Sequence, residues 1–289
     1  AKFVPTRFDG FDRRSGLHGD FVRAIALDPK RRLWLGTRSG LQVVPLENGN
    51  PVFSQAQAVT TKHGLPEERV YAIEPRGDNE ALIATDAGLV HWNLTYGLVR
   101  VWKQADGLPS DYVRALRRAQ DGTLWVTTDR GVVKLLDGRL EAPEQSLLRE
   151  MYAINLRIDP QGRIWFATVD HGLVILQPDG SVMQVSGPGE DGDRAVWDLF
   201  PAADGRDMWV GTNGDGLLRV DPTGNIVQRL TSHDGLADDF VWSVLVDGHG
   251  DVWAYTTRGL SRLREGIIVN HDHLDGLLHL CLLYTSPSP

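Results

Sequence analysis

Short runs in which apolar and polar residues alternate recur along the whole chain. The first run, residues 22–27, is followed by a turn rich in Pro, Asp and basic residues, and two further runs follow at residues 33–37 and 41–44. Alternation with a period of two over four to eight residues is typical of β-strands. We find no segment that keeps the 3.6-residue period of an amphipathic helix. The pattern therefore predicts an all-β protein.

The same succession of runs is repeated six times. The repeats are marked by a large apolar residue at one equivalent position, namely Trp34, Leu82, Trp125, Trp165, Trp209 and Trp253. These markers are spaced by 48, 43, 40, 44 and 44 residues. Four short strands in roughly 40–45 residues make one β-propeller blade. The sequence predicts a β-propeller of four-stranded blades, with six complete blades plus fragments of a seventh. We expect the marker side chains to pack between blades.

The repeat pattern is incomplete at both ends of the chain. Residues 3–14 resemble the outer strand of a blade without its other strands, and the pattern is lost soon after residue 277. We expect one propeller domain over residues 1–279, truncated at both ends, with an open or poorly closed ring. Residues 280–289 form a tail outside the repeats that we expect to be foreign to the natural gene, so Cys281 carries no function.

Composition and charge exclude several classes of protein. The 289 residues carry a net charge of −8, so there is no basic excess to neutralise the phosphates of a nucleic acid. A single Cys excludes an internal disulfide and a thiolate metal cluster. No stretch approaches the roughly 18–20 apolar residues of a membrane-spanning helix. We therefore expect no nucleic-acid partner and no membrane segment in this chain.

Three copies of the repeat carry a recognisable motif. They read VRALRRAQDGTLWVTTDRGV, INLRIDPQGRIWFATVDHGL and VWSVLVDGHGDVWAYTTRGL, and two are preceded by the links GLPSDYV and GLADDFV. These stretches resemble the two-component regulator propeller repeat, and the resemblance covers roughly residues 16–278. Proteins of that family are bacterial membrane sensors whose periplasmic propellers detect a ligand, often a carbohydrate, and drive a histidine kinase or a diguanylate cyclase.

The resemblance implies a periplasmic sensor domain of an inner-membrane protein, without catalytic activity and without a cofactor. Its partners would be a small-molecule ligand and a second propeller or a downstream signalling domain of the same parent protein. Neither a membrane helix nor an output domain is recognisable in the sequence itself.

The candidate ligand-binding residues belong to one face of the ring. The loop leading into the first strand of each blade and the turn between its second and third strands are expected to open on that face. Aromatic, guanidinium, carboxylate and amide groups there suit a sugar or another polar ligand, through stacking and directional hydrogen bonds. The candidates are Arg23, Tyr71, Arg114, Asp129, Arg130, His171, Trp197, Asn213, Trp242 and Arg258. The alternative interpretation is that turns are simply polar and that their Asp side chains cap them.

Two other functions stay open at this point. Propeller lyases of the streptogramin-lyase type resemble this chain in phrases such as IWFAT and DPTGNIV, and His171 would then work with a metal on the central face. A protein-interaction scaffold would instead present a large exposed apolar patch. The run His271-Asp272-His273 could place two imidazoles on one strand face, half of a metal site. We nevertheless predict no catalytic and no metal-binding residues.

Overall fold

The structure is a computed structural model that describes residues 10–19, 21–185 and 195–271. Its strands form six antiparallel sheets, and in five of them the four strands pair in chain order. The first strands of consecutive sheets pack against one another, so they are the innermost strands of a ring. This confirms the predicted all-β propeller with six four-stranded blades. The remaining parts of the predicted seventh blade, residues 1–9 and 272–279, and the tail 280–289 lie outside the described residues.

The strands have the following bounds. Blades 1 to 3 consist of β1 Val22–Leu27, β2 Arg32–Thr37, β3 Gly40–Glu47, β4 Asn50–Pro51 and β5 Gln57–Val59; β6 Val70–Arg76, β7 Glu80–Thr85, β8 Gly88–Asn93 and β9 Gly97–Trp102; and β10 Val113–Arg118, β11 Leu124–Thr128, β12 Gly131–Leu136 and β13 Arg139–Glu141. Blades 4 to 6 consist of β14 Ala153–Ile158, β15 Ile164–Thr168, β16 Leu173–Leu176 and β17 Val182–Gln184; β18 Val196–Pro201, β19 Met208–Thr212, β20 Leu217–Val220 and β21 Ile226–Leu230; and β22 Val241–Val246, β23 Val252–Thr256, β24 Gly259–Arg264 and β25 Ile267–His271. In blade 1 the outer strand is split into β4 and β5, and both pieces pair with β3.

Short 3-10 turns separate several of the blades. They lie at Arg13–Ser15, Phe53–Gln55, Thr61–His63, Gln104–Asp106, Leu147–Arg149 and Ser232–Asp234. Four of these turns end at the Gly of a Gly-Leu link, and that Gly has a positive φ of 95 to 108°. One of them corrects the sequence analysis, because Arg13–Ser15 forms a capped 3-10 turn where residues 3–14 were expected to be an outer strand.

One hydrogen bond recurs in every blade. The second strand ends on a fully buried Thr whose hydroxyl donates to the carbonyl of a Gly at, or directly before, the start of the third strand, over 2.7 to 3.0 Å. All six of these Gly residues have positive φ, between 69 and 141°. Residues with a Cβ are strained in that region, so the turn requires Gly.

The marker side chains lie between blades, as predicted. Trp165 is fully buried, and it packs in one cluster with Val196, Leu199 and Val210 of the following blade. The other markers from Trp34 to Trp209 occupy equivalent clusters. In three repeats the Asp at the first turn accepts the indole N–H of the marker, in the pairs Asp28–Trp34 at 2.9 Å, Asp159–Trp165 at 2.8 Å and Asp247–Trp253 at 2.9 Å. The turn thereby fixes the orientation of the indole ring, which in blades 1 and 4 packs against the following blade.

Blade 1 has one sheet face turned away from blade 2, and blade 6 has one turned away from blade 5. These two faces differ from the faces that pack between consecutive blades. Leu35 and Val44 of blade 1 pack with Leu17 and Phe53 of their own repeat. Trp253 of blade 6 is partly exposed, whereas the other four marker Trp side chains are buried. Among the residues that the structure describes, these two faces do not share a hydrophobic cluster.

The position of the marker in the ring decides how much each one stabilises the fold. We expect Trp165→Ala to lower the free energy of unfolding by about 3–5 kcal/mol, because it leaves a cavity between two blades. Trp253→Ala should cost clearly less, because its ring is already partly exposed. Chemical denaturation of both variants measures the difference, and equal losses would contradict it.

Candidate ligand-binding face

The innermost strand of every blade carries one residue that the strand pairing skips. Between the first and third residues of each such strand, the register with the second strand shifts by one position. The extra residue of a β-bulge is unpaired, and its side chain is re-aimed. We call these the bulge residues; they are Arg23, Tyr71, Arg114, Ile154, Trp197 and Trp242, and all are partly buried. Five of the six are aromatic or Arg, and all five were predicted as candidates.

The bulge residues of blades 1 to 3 form one contact cluster. The guanidinium of Arg23 lies 4.8 Å from the centre of the Tyr71 ring, and that of Arg114 lies 4.4 Å from the same ring. Asp86 accepts from the Tyr71 hydroxyl at 3.0 Å and from Arg114 Nη1 at 3.0 Å. Burial acts to lower the pKa of Arg114, but Tyr152, Tyr71 and Asp86 outweigh it and hold that pKa above its usual value. The cluster therefore presents fixed positive charge beside an aromatic ring.

The bulge residues of blades 5 and 6 form a second cluster. The rings of Trp197 and Trp242 have centroids 4.9 Å apart at an interplanar angle of 44°. The indole N–H of Trp197 donates to Asn213 Oδ1 at 3.1 Å, and that of Trp242 donates to Thr257 Oγ1 at 3.2 Å. Both indoles are thus held in one orientation, so the pair forms a rigid aromatic platform.

The four remaining candidates occupy three turns between second and third strands. Arg130 and Arg258 are exposed, and Arg258 Nε lies 3.2 Å from a carboxylate oxygen of Asp238. His171 Nδ1 lies 2.9 Å from Asp170 Oδ1. The Oδ1 atom of Asp129 is buried and has no hydrogen-bond partner among the described residues.

Backbone contacts show that the two sets of loops share a face, as expected. The Gly at the second turn of a blade donates its N–H to the loop that leads into the next blade. The pairs are Gly40 with Glu68 at 2.8 Å, Gly88 with Asp111 at 2.8 Å and Gly216 with Asp239 at 2.9 Å.

The structure adds residues that the sequence analysis did not select. Phe21, Tyr112 and Phe240 stand directly before the first strand of their blades and are 40%, 48% and 44% exposed. The guanidinium of Arg38 lies 4.5 Å from the centre of the Phe21 ring. The sequence could have identified these residues, because the residue directly before the innermost strand is aromatic in four of the six repeats. Together with Asp86, they extend the aromatic and charged character of the face.

Within residues 10–19, 21–185 and 195–271, no group of three or more His, Cys, Asp or Glu side chains is arranged to hold an ion. His271 is buried, and its ring stacks on Trp253 at a centroid distance of 5.8 Å. Asp272 and His273 lie outside the described residues.

The same part of the chain contains no helix with the length and hydrophobicity of a membrane span.

Comparison with known proteins supports the resemblance seen in the sequence. Residues 16–39 and 107–130 match the sequence profile of the family described as two component regulator propeller. No curated protein matches the chain in sequence.

Several solved structures share the fold. An extracellular domain assigned to a hybrid two-component system of Bacteroides thetaiotaomicron matches with a TM-score of 0.70 and 20% identity, over 93% of this chain and 37% of that one. PorZ, a surface component of the type-IX secretion system of Porphyromonas gingivalis, matches with a TM-score of 0.60 and 18% identity, over 82% of this chain and 37% of that one. Virginiamycin B lyase from Staphylococcus aureus matches with a TM-score of 0.68 and 12% identity, over 87% of this chain and 84% of that one. The chain thus spans well under half of the first two.

The first cluster depends on one carboxylate. We expect Asp86→Ala to lower the free energy of unfolding by about 1–3 kcal/mol, because Arg114 and the Tyr71 hydroxyl lose their acceptor in a partly buried place. Asp78→Ala is the control, since that exposed carboxylate only faces the exposed Lys30 at 3.5 Å and should cost less than about 0.5 kcal/mol. Denaturant titration compares them, and a loss no larger than that of the control would refute the role of Asp86.

Proposed function

We propose, from the premise that the chain carries two-component regulator propeller repeats, that it is the ligand-sensing propeller of a bacterial membrane signalling protein. It lies in the periplasm and binds a carbohydrate or another polar small molecule without catalysis. The observation that carries this proposal is the convergence of five aromatic or Arg bulge residues at one level of the inner strands.

The chemistry of that face suits a sugar. The Trp197–Trp242 pair offers aromatic surface on which the apolar side of a sugar ring can stack. Arg23, Arg114 and Asp86 supply charged donors and acceptors for hydroxyl groups. A few directional polar groups beside an aromatic platform are the usual composition of a small-molecule site. Because both clusters are held by internal hydrogen bonds, little order has to be gained on binding.

Signalling requires partners beyond this chain. We propose that a second propeller or a downstream signalling domain of the same parent protein receives the signal. The similarity to an extracellular domain that is much longer than this chain supports this arrangement. Ligand binding across several blades would bias how those blades pack, and that bias is what a neighbouring domain can detect.

A lyase is the second candidate, because virginiamycin B lyase has a similar fold along most of its length. His171 is the residue that this alternative would use, and it lies beside Asp170 in the longer second turn of blade 4. It predicts a dependence on divalent metal that the sensor proposal does not.

A thermal-shift screen against mono- and oligosaccharides, with divalent metals in parallel, separates these functions. A sensor should show a midpoint that rises with sugar concentration, by an amount equivalent to about 2.7 kcal/mol at one hundred times the dissociation constant. Trp242→Ala and Arg114→Ala should abolish the shift. Tyr96→Ala is the matched control, because this 85% exposed aromatic residue lies in the outer turn between β8 and β9.

Each other result points elsewhere. A shift that survives Trp242→Ala and Arg114→Ala would place the ligand away from the proposed face. A metal-dependent shift that is lost in His171→Ala, with no response to sugars, would favour the lyase. No response from a folded sample would contradict a sugar sensor and favour a scaffold.

A further inference from the structure

A further polar cluster, distinct from the two clusters of bulge residues, lies deeper on the innermost strands. Its members stand one and three residues further along their strands than the bulge position. They are Glu74 on β6, Arg117 on β10, Asn155 and Arg157 on β14, Asp198 on β18 and Ser243 on β22. All except Glu74 are buried. Five neighbouring blades therefore place polar or charged groups in the centre of the ring, where the equivalent positions of other strands carry Ala, Leu or Phe.

The two carboxylates of this cluster are already engaged by other donors. Asp198 accepts from Ser243 Oγ at 2.8 Å, from the backbone N–H groups of Val244 at 3.0 Å and Leu199 at 2.8 Å, and from the amide of Asn155. Arg157 approaches Asp198 only to 3.8 Å. In the same way, Glu74 pairs with Arg118, whose Nε lies 3.3 Å from Glu74 Oε1.

Arg117 is the member whose hydrogen bonds are incomplete. It is 9% exposed, and its Nη1 donates to the Leu116 carbonyl of its own strand at 3.1 Å. Its Nη2 is buried and has no hydrogen-bond partner among the described residues. Burial and the neighbouring charge of Arg157 lower the pKa of Arg117 to about 9, although the carboxylates of Glu74 and Asp198 act in the opposite direction. Leaving a buried charged donor without an acceptor is costly, so the site calls for a negatively charged group.

We propose that a small monovalent anion of halide size binds beside Arg117 Nη2, between the guanidiniums of Arg117 and Arg157. Both side chains are fixed by bonds to their own strands, with Arg157 Nη1 3.1 Å from Asn155 Oδ1 and 3.2 Å from the Leu156 carbonyl. The site is therefore preformed. A halide suits it because guanidinium N–H groups supply donors only, and because Arg117 Nη2 is shielded from bulk solvent. The anion would relieve the repulsion between two buried cations on adjacent blades.

Bromide is the direct probe of this site. Crystals of the chain soaked in sodium bromide should show an anomalous peak next to Arg117 Nη2 and Arg157. A water molecule at that position, with no anomalous signal, would overturn the proposal.

A solution experiment tests the same site independently. The unfolding midpoint should rise with sodium chloride more than with sodium gluconate at equal ionic strength. Arg117→Met should remove the difference between the two salts. Arg118→Met is the matched control, because this exposed neighbour pairs with Glu74 and should leave the chloride effect unchanged.

An equal chloride effect in Arg117→Met and in the unchanged chain would refute the site. If Arg117→Met does not fold, the bromide map of the unchanged chain still decides between an anion and water.

Discussion

Packing between blades is the constraint on which the rest of this structure depends. A single four-stranded sheet has two apolar faces, and it can bury them only against its neighbours. Each of five hydrophobic clusters is accordingly shared by two consecutive blades, with the marker side chain near its centre. In three repeats the Asp of the first turn accepts a hydrogen bond from the marker indole. The conformation of that turn therefore helps to orient the side chain that packs between blades.

Because other positions hold the blades together, the residue type at the bulge position of each innermost strand can differ from blade to blade. The buried Thr and the Gly with positive φ fix the second turn of every blade in the same way. The bulge residue is skipped by the strand pairing and is only partly buried, although Tyr71 and Ile154 still pack against the clusters between blades. Six equivalent positions can then hold Arg, Tyr, Ile or Trp without disturbing the blades. A ring of such positions is a way to build a specific binding face on a repetitive scaffold.

The fold could be predicted from the sequence because every blade repeats the same local pattern, so six weak signals support one another. The alignment of the repeats also predicted a shared position near the start of the innermost strand for Arg23, Tyr71, Arg114, Trp197 and Trp242. Which polar side chains meet across neighbouring blades could not be predicted, since those partners are set by the ring and not by neighbours in the chain. Asp86, which joins Tyr71 to Arg114 of the next blade, was therefore not selected. The buried polar cluster around Asp198 was missed for the same reason.

In the proposed sensor, the ligand binds on the bulge residues. The most direct measurement is a crystal structure of the chain with a bound sugar. We predict a sugar ring stacked on Trp197 or Trp242, with its polar groups directed toward Arg114 and Asp86. A sugar bound elsewhere, such as in the groove between blades 5 and 6 that Trp209 and Arg219 line, would contradict the account.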